Sequence, residues 1–216
     1  SERGEVYKKY LEKLLADGHA YYCYCSKEDL EAERQAMIAQ GLPAKYQGHC
    51  RSDTPERTSP NGAGRNLKKP QIIRFKTPEV EVEFKDVVRG TVKFDASLFG
   101  DMVIAKDLNT PLYNFAAVVD DEEMKITRVI RGEDHLPNTP KQILLQKALC
   151  FSQPEYAHIP LILASDRSKL SKRFVESSFL DYRKNGYLPE AVMNFLALLG
   201  WHPKEDKEVI NLEEII

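Results

Sequence analysis

The chain has 216 residues, 42% of them hydrophobic, and a formal charge of −2 at pH 7. That is enough apolar material for one large core or two small ones, and a charge so near balance argues neither for nor against nucleic acid. No apolar run approaches the roughly 20 residues that span a bilayer and no signal-peptide pattern opens the chain, while four cysteines at this length do not make a disulfide scaffold, so no membrane is expected and a reducing cytoplasm is.

Val6, Tyr7, Tyr10, Leu11, Leu14 and Leu15 repeat with helical spacing, so residues 5–17 read as an amphipathic helix ended by Asp17-Gly18. Residues 20–25 form a short aromatic strand. Ser26 caps a second helix, with Asp29 as a capping-box variant, running to about Gln40 and closed by Gly41. Residues 43–70 are rich in turn formers and read as loop. Lys45, Arg51, Arg57, Arg65, Lys68, Lys69, Arg74 and Lys76 crowd in and just after that loop, against only Asp53 and Glu56. Such a basic patch suits either phosphate contact or plain solvation.

From Gln71 the period changes to two. Ile73 and Phe75, then Val80, Val82 and Phe84, then Val87, Val88, Val92 and Phe94 suggest short antiparallel strands with a turn at Arg89-Gly90. Residues 102–105 form another strand, followed by a turn at 107–110. The apolar run 115–119 fits a strand buried on both faces. Residues 126–130 make a strand ending at Arg131-Gly132-Glu133-Asp134-His135. Thr139-Pro140 opens a helix, and 157–163 is the next strand; this strand-helix-strand order predicts a parallel sheet. Helices follow at 179–182 and 189–199, the second closed by Gly200. Cys150, between Leu149 and Phe151, reads as core.

Lys169-Leu170-Ser171-Lys172-Arg173 places two ammonium groups, a hydroxyl and a guanidinium in one loop, flanked by Ser165, Asp166 and Ser168. It offers mobile positive charge to a triphosphate whose pyrophosphate leaves. Alone it reads as a solvated basic turn. In parallel sheets ligands sit at the carboxyl ends of strands, and both this loop and residues 131–135 fall at such ends.

Several segments in register resemble bacterial glutamyl-tRNA synthetases. They are Tyr113-Asn114-Phe115-Ala116, Val118-Val119-Asp120-Asp121, Arg131-Gly132-Glu133-Asp134-His135, Lys169-Leu170-Ser171-Lys172-Arg173, Gly186-Tyr187-Leu188-Pro189-Glu190-Ala191 and Leu198-Leu199-Gly200-Trp201. The resemblance covers essentially the whole chain. It implies an α/β fold: the second half of a class I synthetase Rossmann-like nucleotide-binding fold, with an inserted mixed α+β acceptor-binding domain and the start of a helical stem-contact segment. Residues 1–18 would end the first half of the nucleotide fold and 19–112 would be the insertion. Residues 113–165 would be the second half, and 166–216 the signature loop with the start of the stem-contact segment.

The implied activity is ATP-dependent ligation of glutamate to tRNA(Glu) through a glutamyl-adenylate, with Mg2+ accompanying ATP and the tRNA acceptor stem as partner. Carried over residue by residue, Lys172 would neutralise phosphate charge as pyrophosphate departs, with Lys169 assisting and Ser171 beside them on ATP. Arg131 would pair the substrate carboxylate and Tyr113 would hydrogen-bond the glutamate. Asp134 would hold ribose or adenine edges, and the backbone of Leu161 and Ile162 would flank the adenine. Read without the resemblance, Tyr113 is a strand-end aromatic and Arg131 a structural ion pair with Glu133 or Asp134.

The family's other signature, an H-x-G-H tetrapeptide, has no counterpart among His19, His49, His135, His158 and His202. With Ser1 at the front and a helix start capped by Asn211 at the back, the chain is expected to be a piece of a longer protein, inactive alone. The alternatives are a non-catalytic tRNA acceptor-binding module, or a relative of the glutaminyl or glutamyl-queuosine enzymes. Cys23, Cys25 and Cys50 resemble a zinc knuckle that some members carry in the insertion. The fourth ligand would fall at Ser52, with His49 or Asp53 as substitutes, and the alternative is three reduced thiols.

Overall fold

Helix α1 (Gly4–Ala16) turns Tyr7, Leu11 and Leu14 inward, one turn apart, and ends at Gly18, whose φ of +73° is the left-handed conformation glycine tolerates. The computed structural model describes residues 3–52, 72–163, 179–203 and 207–216. The chain divides into two units: residues 1–129 with 135–157, and residues 130–134 with 158–216.

In the first unit, α1 leads to β1 (Ala20–Cys23) and α2 (Lys27–Ala39). Ser26 caps α2 by accepting the Asp29 amide at 3.1 Å. After α2 come β2 (Ile72–Phe75), β3 (Glu81–Asp86), β4 (Gly90–Asp95), β5 (Val103–Asp107) and β6 (Thr110–Pro111). One sheet has the order β1-β2-β5-β6, with β1 antiparallel to β2 from Ala20↔Phe75 to Cys23↔Ile72. The β3–β4 hairpin forms as the alternation required, Val82, Phe84 and Asp86 being buried on one face. Its turn is fixed by Asp86, whose Oδ1 accepts the amides of Val88 and Arg89.

Residues 115–119 are not a strand. They lie in α3 (Tyr113–Glu123), where Phe115, Val118 and Val119 meet the core at helical spacing while Ala116 and Ala117 stay partly exposed. A five-residue apolar run cannot distinguish a buried strand from a helix segment, and the acidic residues 120–123 continue the helix. α3 closes through Lys125 at φ +54°, with the Ile126 amide bonded back to Asp121 O at 2.8 Å, so β7 begins late, at Arg128–Gly132. A 3-10 segment, Glu133–Asn138, leads into α4 (Thr139–Leu149), then β8 (Glu155–Ile159). Pro160, which has no N–H for the ladder, ends β8 four residues before the expected limit.

The second sheet has the order β4-β3-β8-β7. β7 and β8 are neighbours across α4 as expected, and a parallel pairing joins β8 to β3 at Asp86↔Tyr156. Cys150 is not core. It is the exposed left-handed residue, φ +60°, that stops α4.

The core of this unit joins Leu11 and Leu14 to Ile73, Phe75, Ile104, Phe115, Ile143, Leu145 and Tyr156. Two tyrosines bolt α1 to α3: Tyr7 donates to Asp120 at 2.8 Å and Tyr10 to Glu123 at 2.6 Å. In the second unit, α5 (Phe179–Lys184) and α6 (Pro189–Leu198) precede α7 (Leu212–Ile215). Asn194 holds the approach to α7 by donating to Glu208 O and accepting the Ile210 amide. Asn211 and Glu214 form the capping box that starts α7. No described helix is long and apolar enough to cross a membrane.

The Tyr10 hydroxyl is pushed up from 10.0 to about 12 by its hydrogen bond to Glu123, with burial adding to the effect. A phenol that holds its proton more tightly when folded stabilises the fold fully below pH 10.0, and that contribution disappears as pH rises to about 12. Unfolding free energy measured across this window is expected to fall with rising pH, and Tyr10→Phe to flatten part of the fall. An unchanged slope in the variant would remove Tyr10 as a cause.

Candidate functional site

Three groups of side chains stand out. The first lies at the end of β7, within the second unit. Arg131 is the penultimate residue of that strand, and its Nε donates to His158 Nε2 at 3.1 Å. His158, on β8, is 0% exposed. Accepting at Nε2 places its ring proton on Nδ1. Beyond Arg131 the backbone makes a tight approach. A Cβ on Gly132 would lie 2.6 Å from Asp134 Oδ1 and 3.3 Å from Leu161 Cδ2. The Leu161 amide donates to Glu133 Oε1 at 3.3 Å. Arg131, Glu133, Asp134 and Leu161 therefore share one neighbourhood. Asp134 and Ile162 are exposed at it. A guanidinium, a carboxylate and an apolar shelf can receive a ligand carrying both an anionic and a flat apolar part.

The second group lies in the first unit. Tyr113 is the first residue of α3, not a strand-end residue, and is 52% exposed. Its hydroxyl is 3.3 Å from His135 Nδ1, and Asn138 Nδ2 is 3.3 Å from the same atom. Lys169, Ser171 and Lys172 lie outside the described residues.

The third group, also in the first unit, is the cysteine cluster. The Sγ atoms of Cys23, Cys25 and Cys50 all lie within 4.8 Å of one another, buried, with Cys25 and Cys50 at 3.6 Å. Of the expected fourth ligands, His49 meets Glu33 at 2.8 Å, and Asp53 lies outside the described residues. Tyr46 does reach the cluster. Its hydroxyl is 3.6 Å from Cys23 Sγ and 3.5 Å from Cys25 Sγ, and accepts the Cys50 amide at 3.0 Å. Zinc at about 2.3 Å from sulfur and about 2.0 Å from oxygen sets tetrahedral neighbours roughly 3.5–3.8 Å apart, and the Cys25–Cys50, Tyr46–Cys23 and Tyr46–Cys25 distances fall in that range.

Hydrogen bonds from Cys25, then Cys50, hold the Cys23 thiol below its ordinary value, while the same contact with Cys23 pushes Cys50 up. Burial pushes the Tyr46 phenol up.

Part of the basic patch is engaged inside the fold. Arg74 is 6% exposed, donates from Nη1 to Asp101 O at 2.7 Å, and lies 3.8 Å from the Tyr46 ring centroid. Arg51 donates to Thr77 O and approaches Asp101 at 3.5 Å, and Lys45 donates to Ser97 O. Three of the eight cations thus have structural partners. Arg57, Arg65, Lys68 and Lys69 lie outside the described residues.

Tyr46, His158 and Glu133 are the participants that sequence spacing did not single out. Tyr46 stands four positions before Cys50, a helical-turn separation inside a loop, and nothing in its neighbours marks it. His158 opens an otherwise apolar run, the one available hint.

The catalytic-domain model of class I tRNA synthetases (E and Q) matches residues 1–216. A glutamate–tRNA ligase of Sulfurihydrogenibium sp. is 52% identical over 216 residues, which are all of this chain and 45% of that protein. One from Aquifex aeolicus is 50% identical over 218 residues, all of this chain and 46% of the relative. The crystal structure of glutamate–tRNA synthetase from Elizabethkingia anophelis superposes with a TM-score of 0.79 at 34% identity, covering 100% of this chain and 48% of that one. A glutamate tRNA ligase from Elizabethkingia meningosepticum, solved in complex with its amino acid, gives the same score and identity. The chain spans about half the length of these relatives.

Gly132→Ala is expected to cost no more than about 1 kcal/mol, because the atom its Cβ would meet, Asp134 Oδ1, ends an exposed side chain that can turn aside. In an Asp134→Ala background most of that cost should vanish, because the obstructing carboxylate is gone. A double-mutant cycle by denaturant unfolding checks this, and additive costs would place the strain elsewhere.

Proposed function

We propose, for a chain that belongs to the class I glutamyl and glutaminyl tRNA-synthetase catalytic-domain family, that it serves ATP-dependent attachment of glutamate to tRNA(Glu). What supports this is identity near one half along the whole chain with proteins named glutamate–tRNA ligase. In the first chemical step a glutamate carboxylate oxygen attacks the α-phosphorus of ATP and pyrophosphate leaves. In the second a ribose hydroxyl at the 3′ end of the tRNA attacks the acyl carbon, its proton is lost, and AMP leaves.

The residues at the end of β7 suit the binding half of that chemistry. Arg131 would take a substrate carboxylate in its fork, with geometry fixed as well as charge supplied. Tyr113, exposed at the start of α3, would donate or accept a hydrogen bond at the glutamate. Asp134 would meet ribose or adenine edges, with Leu161 and Ile162 flanking the base. The Leu161 amide is already spent on Glu133, so contact there would come from its side chain and carbonyl. Lys169, Ser171 and Lys172 would gather the phosphates, and Lys172 would follow charge onto departing pyrophosphate, for which a flexible ammonium is suited. Mg2+ bound with ATP supplies further charge neutralisation of the phosphates. Residues 19–112 would address the tRNA acceptor stem, 113–165 the nucleotide, and 166–216 the signature loop and stem contact, all in the reducing cytoplasm.

Two variants of the full-length synthetase test this. Arg131→Ala is expected to raise KM for glutamate with ATP affected less. Lys172→Ala is expected to lower kcat for tRNA glutamylation by roughly 100- to 1,000-fold, as loss of a transition-state charge does. Charging at the unaltered rate by Lys172→Ala would refute its assigned role.

We also propose that Cys23, Cys25, Cys50 and Tyr46 hold a structural zinc ion, Tyr46 taking the place expected of Ser52, His49 or Asp53. Metal analysis of protein purified without added zinc is expected to find about one ion per chain, and Cys25→Ala to lose it. Metal-free protein with unchanged stability would mean the thiols are simply packed there.

A further inference from the structure

His158 has no role in the chemistry set out above, yet it is fully buried and in direct contact with the guanidinium expected to receive the substrate. Its Nε2 accepts from Arg131 Nε at 3.1 Å. Nε lies on the stem side of a planar fork, so a partner there fixes the rotation of the whole plane. The Nη edge, on which a carboxylate makes its two parallel bonds, then takes its direction from His158. An arginine held by nothing at Nε would have to give up side-chain freedom at each binding event, and the cost would appear as weaker affinity.

We propose that His158 is the positioning residue for Arg131: it presets the guanidinium plane so that the substrate's carboxylate meets an oriented fork. Its imidazole does this in one tautomer only, with the proton on Nδ1 and the lone pair of Nε2 toward Arg131. Burial on β8, between Ala157 and Ile159, fixes the ring so that its orientation is inherited from the sheet. Two strands thereby divide the work: β7 carries the cation that binds, and β8 carries the acceptor that aims it. This inference rests on the assignment of Arg131 to the carboxylate in the preceding section.

The test uses the full-length synthetase and tRNA glutamylation at varied glutamate and varied ATP. His158→Leu, which removes the acceptor while keeping an apolar filling, is expected to raise KM for glutamate about tenfold, with KM for ATP within about twofold of wild type. His158→Gln, whose Oε1 can stand near the place of Nε2, is expected to recover most of that loss. A merely structural histidine would leave Gln and Leu equally impaired, or impair both substrates alike, and either result overturns the proposal. A second measurement needs no variant. Nitrogen chemical shifts of His158 in the wild-type protein should report a protonated Nδ1 and a bare Nε2, and the opposite tautomer would overturn the proposal even if His158→Leu did not fold. Arg131→Ala separates the two levels: if it leaves KM for glutamate unchanged, the assignment of Arg131 fails, whereas a raised KM there with an unaffected His158→Leu defeats only the aiming role.

Discussion

A charge taken out of water must be met from several sides, and the guanidinium of Arg74 shows how much structure that demands. It is satisfied at one edge by the Asp101 carbonyl and on one face by the ring of Tyr46. The carboxylate of Asp101 is met in turn by the Tyr21 hydroxyl at 2.7 Å, the Thr77 amide at 2.9 Å and Arg51 at 3.5 Å. This web ties β1, β2, the turn before β5 and the segment around residues 45–51 into one body. The anion is hydrogen-bonded and paired with Arg51, whereas the cation is met by a carbonyl and a ring and keeps its Nε without a hydrogen-bond partner, so compensation here is uneven. The same web orients Tyr46, and Tyr46 reaches the thiols. The cysteine cluster is thus an outgrowth of a charge-compensation problem solved one layer away.

Arg131 obeys the same rule with the opposite outcome. Arg74 is nearly buried and its donors serve the fold. Arg131 is only partly covered, and its Nε donates to the ring nitrogen of His158 rather than to a backbone carbonyl. An imidazole nitrogen there supplies direction to the guanidinium plane. The two arginines differ in what stands opposite their donors, which no count of basic residues reveals.

That contrast also explains what could be deduced from the chain and what could not. The helix caps at Ser26 and Asn211, the β3–β4 hairpin and the polar end of β7 are local, and each is written in a few adjacent residues. The family resemblance needed only motifs in register. α3 was misassigned because Phe115 to Val119 carries no polar interruption by which a period could be measured. Cys150 looked like core because its neighbours are, although a helix must stop somewhere and its stop points outward. Within the basic patch, Arg74, Arg51 and Lys45 are engaged by partners 27, 50 and 52 residues away, which no local reading of the sequence shows. Tyr46 was invisible for the same reason: its meaning depends on Cys23 and Arg74, both distant along the chain.

Finally, the pairing of β3 with β8 at Asp86 and Tyr156 bears on modularity. Residues 19–112 are the segment proposed as an insertion, yet their hairpin bridges to β8, Asp86 meeting Tyr156 seventy positions further on. Excising that segment would remove the β3 side of β8 and free the Tyr156 carbonyl that accepts the Val87 amide. Grafting or swapping the segment between relatives should therefore succeed best when β8 travels with it.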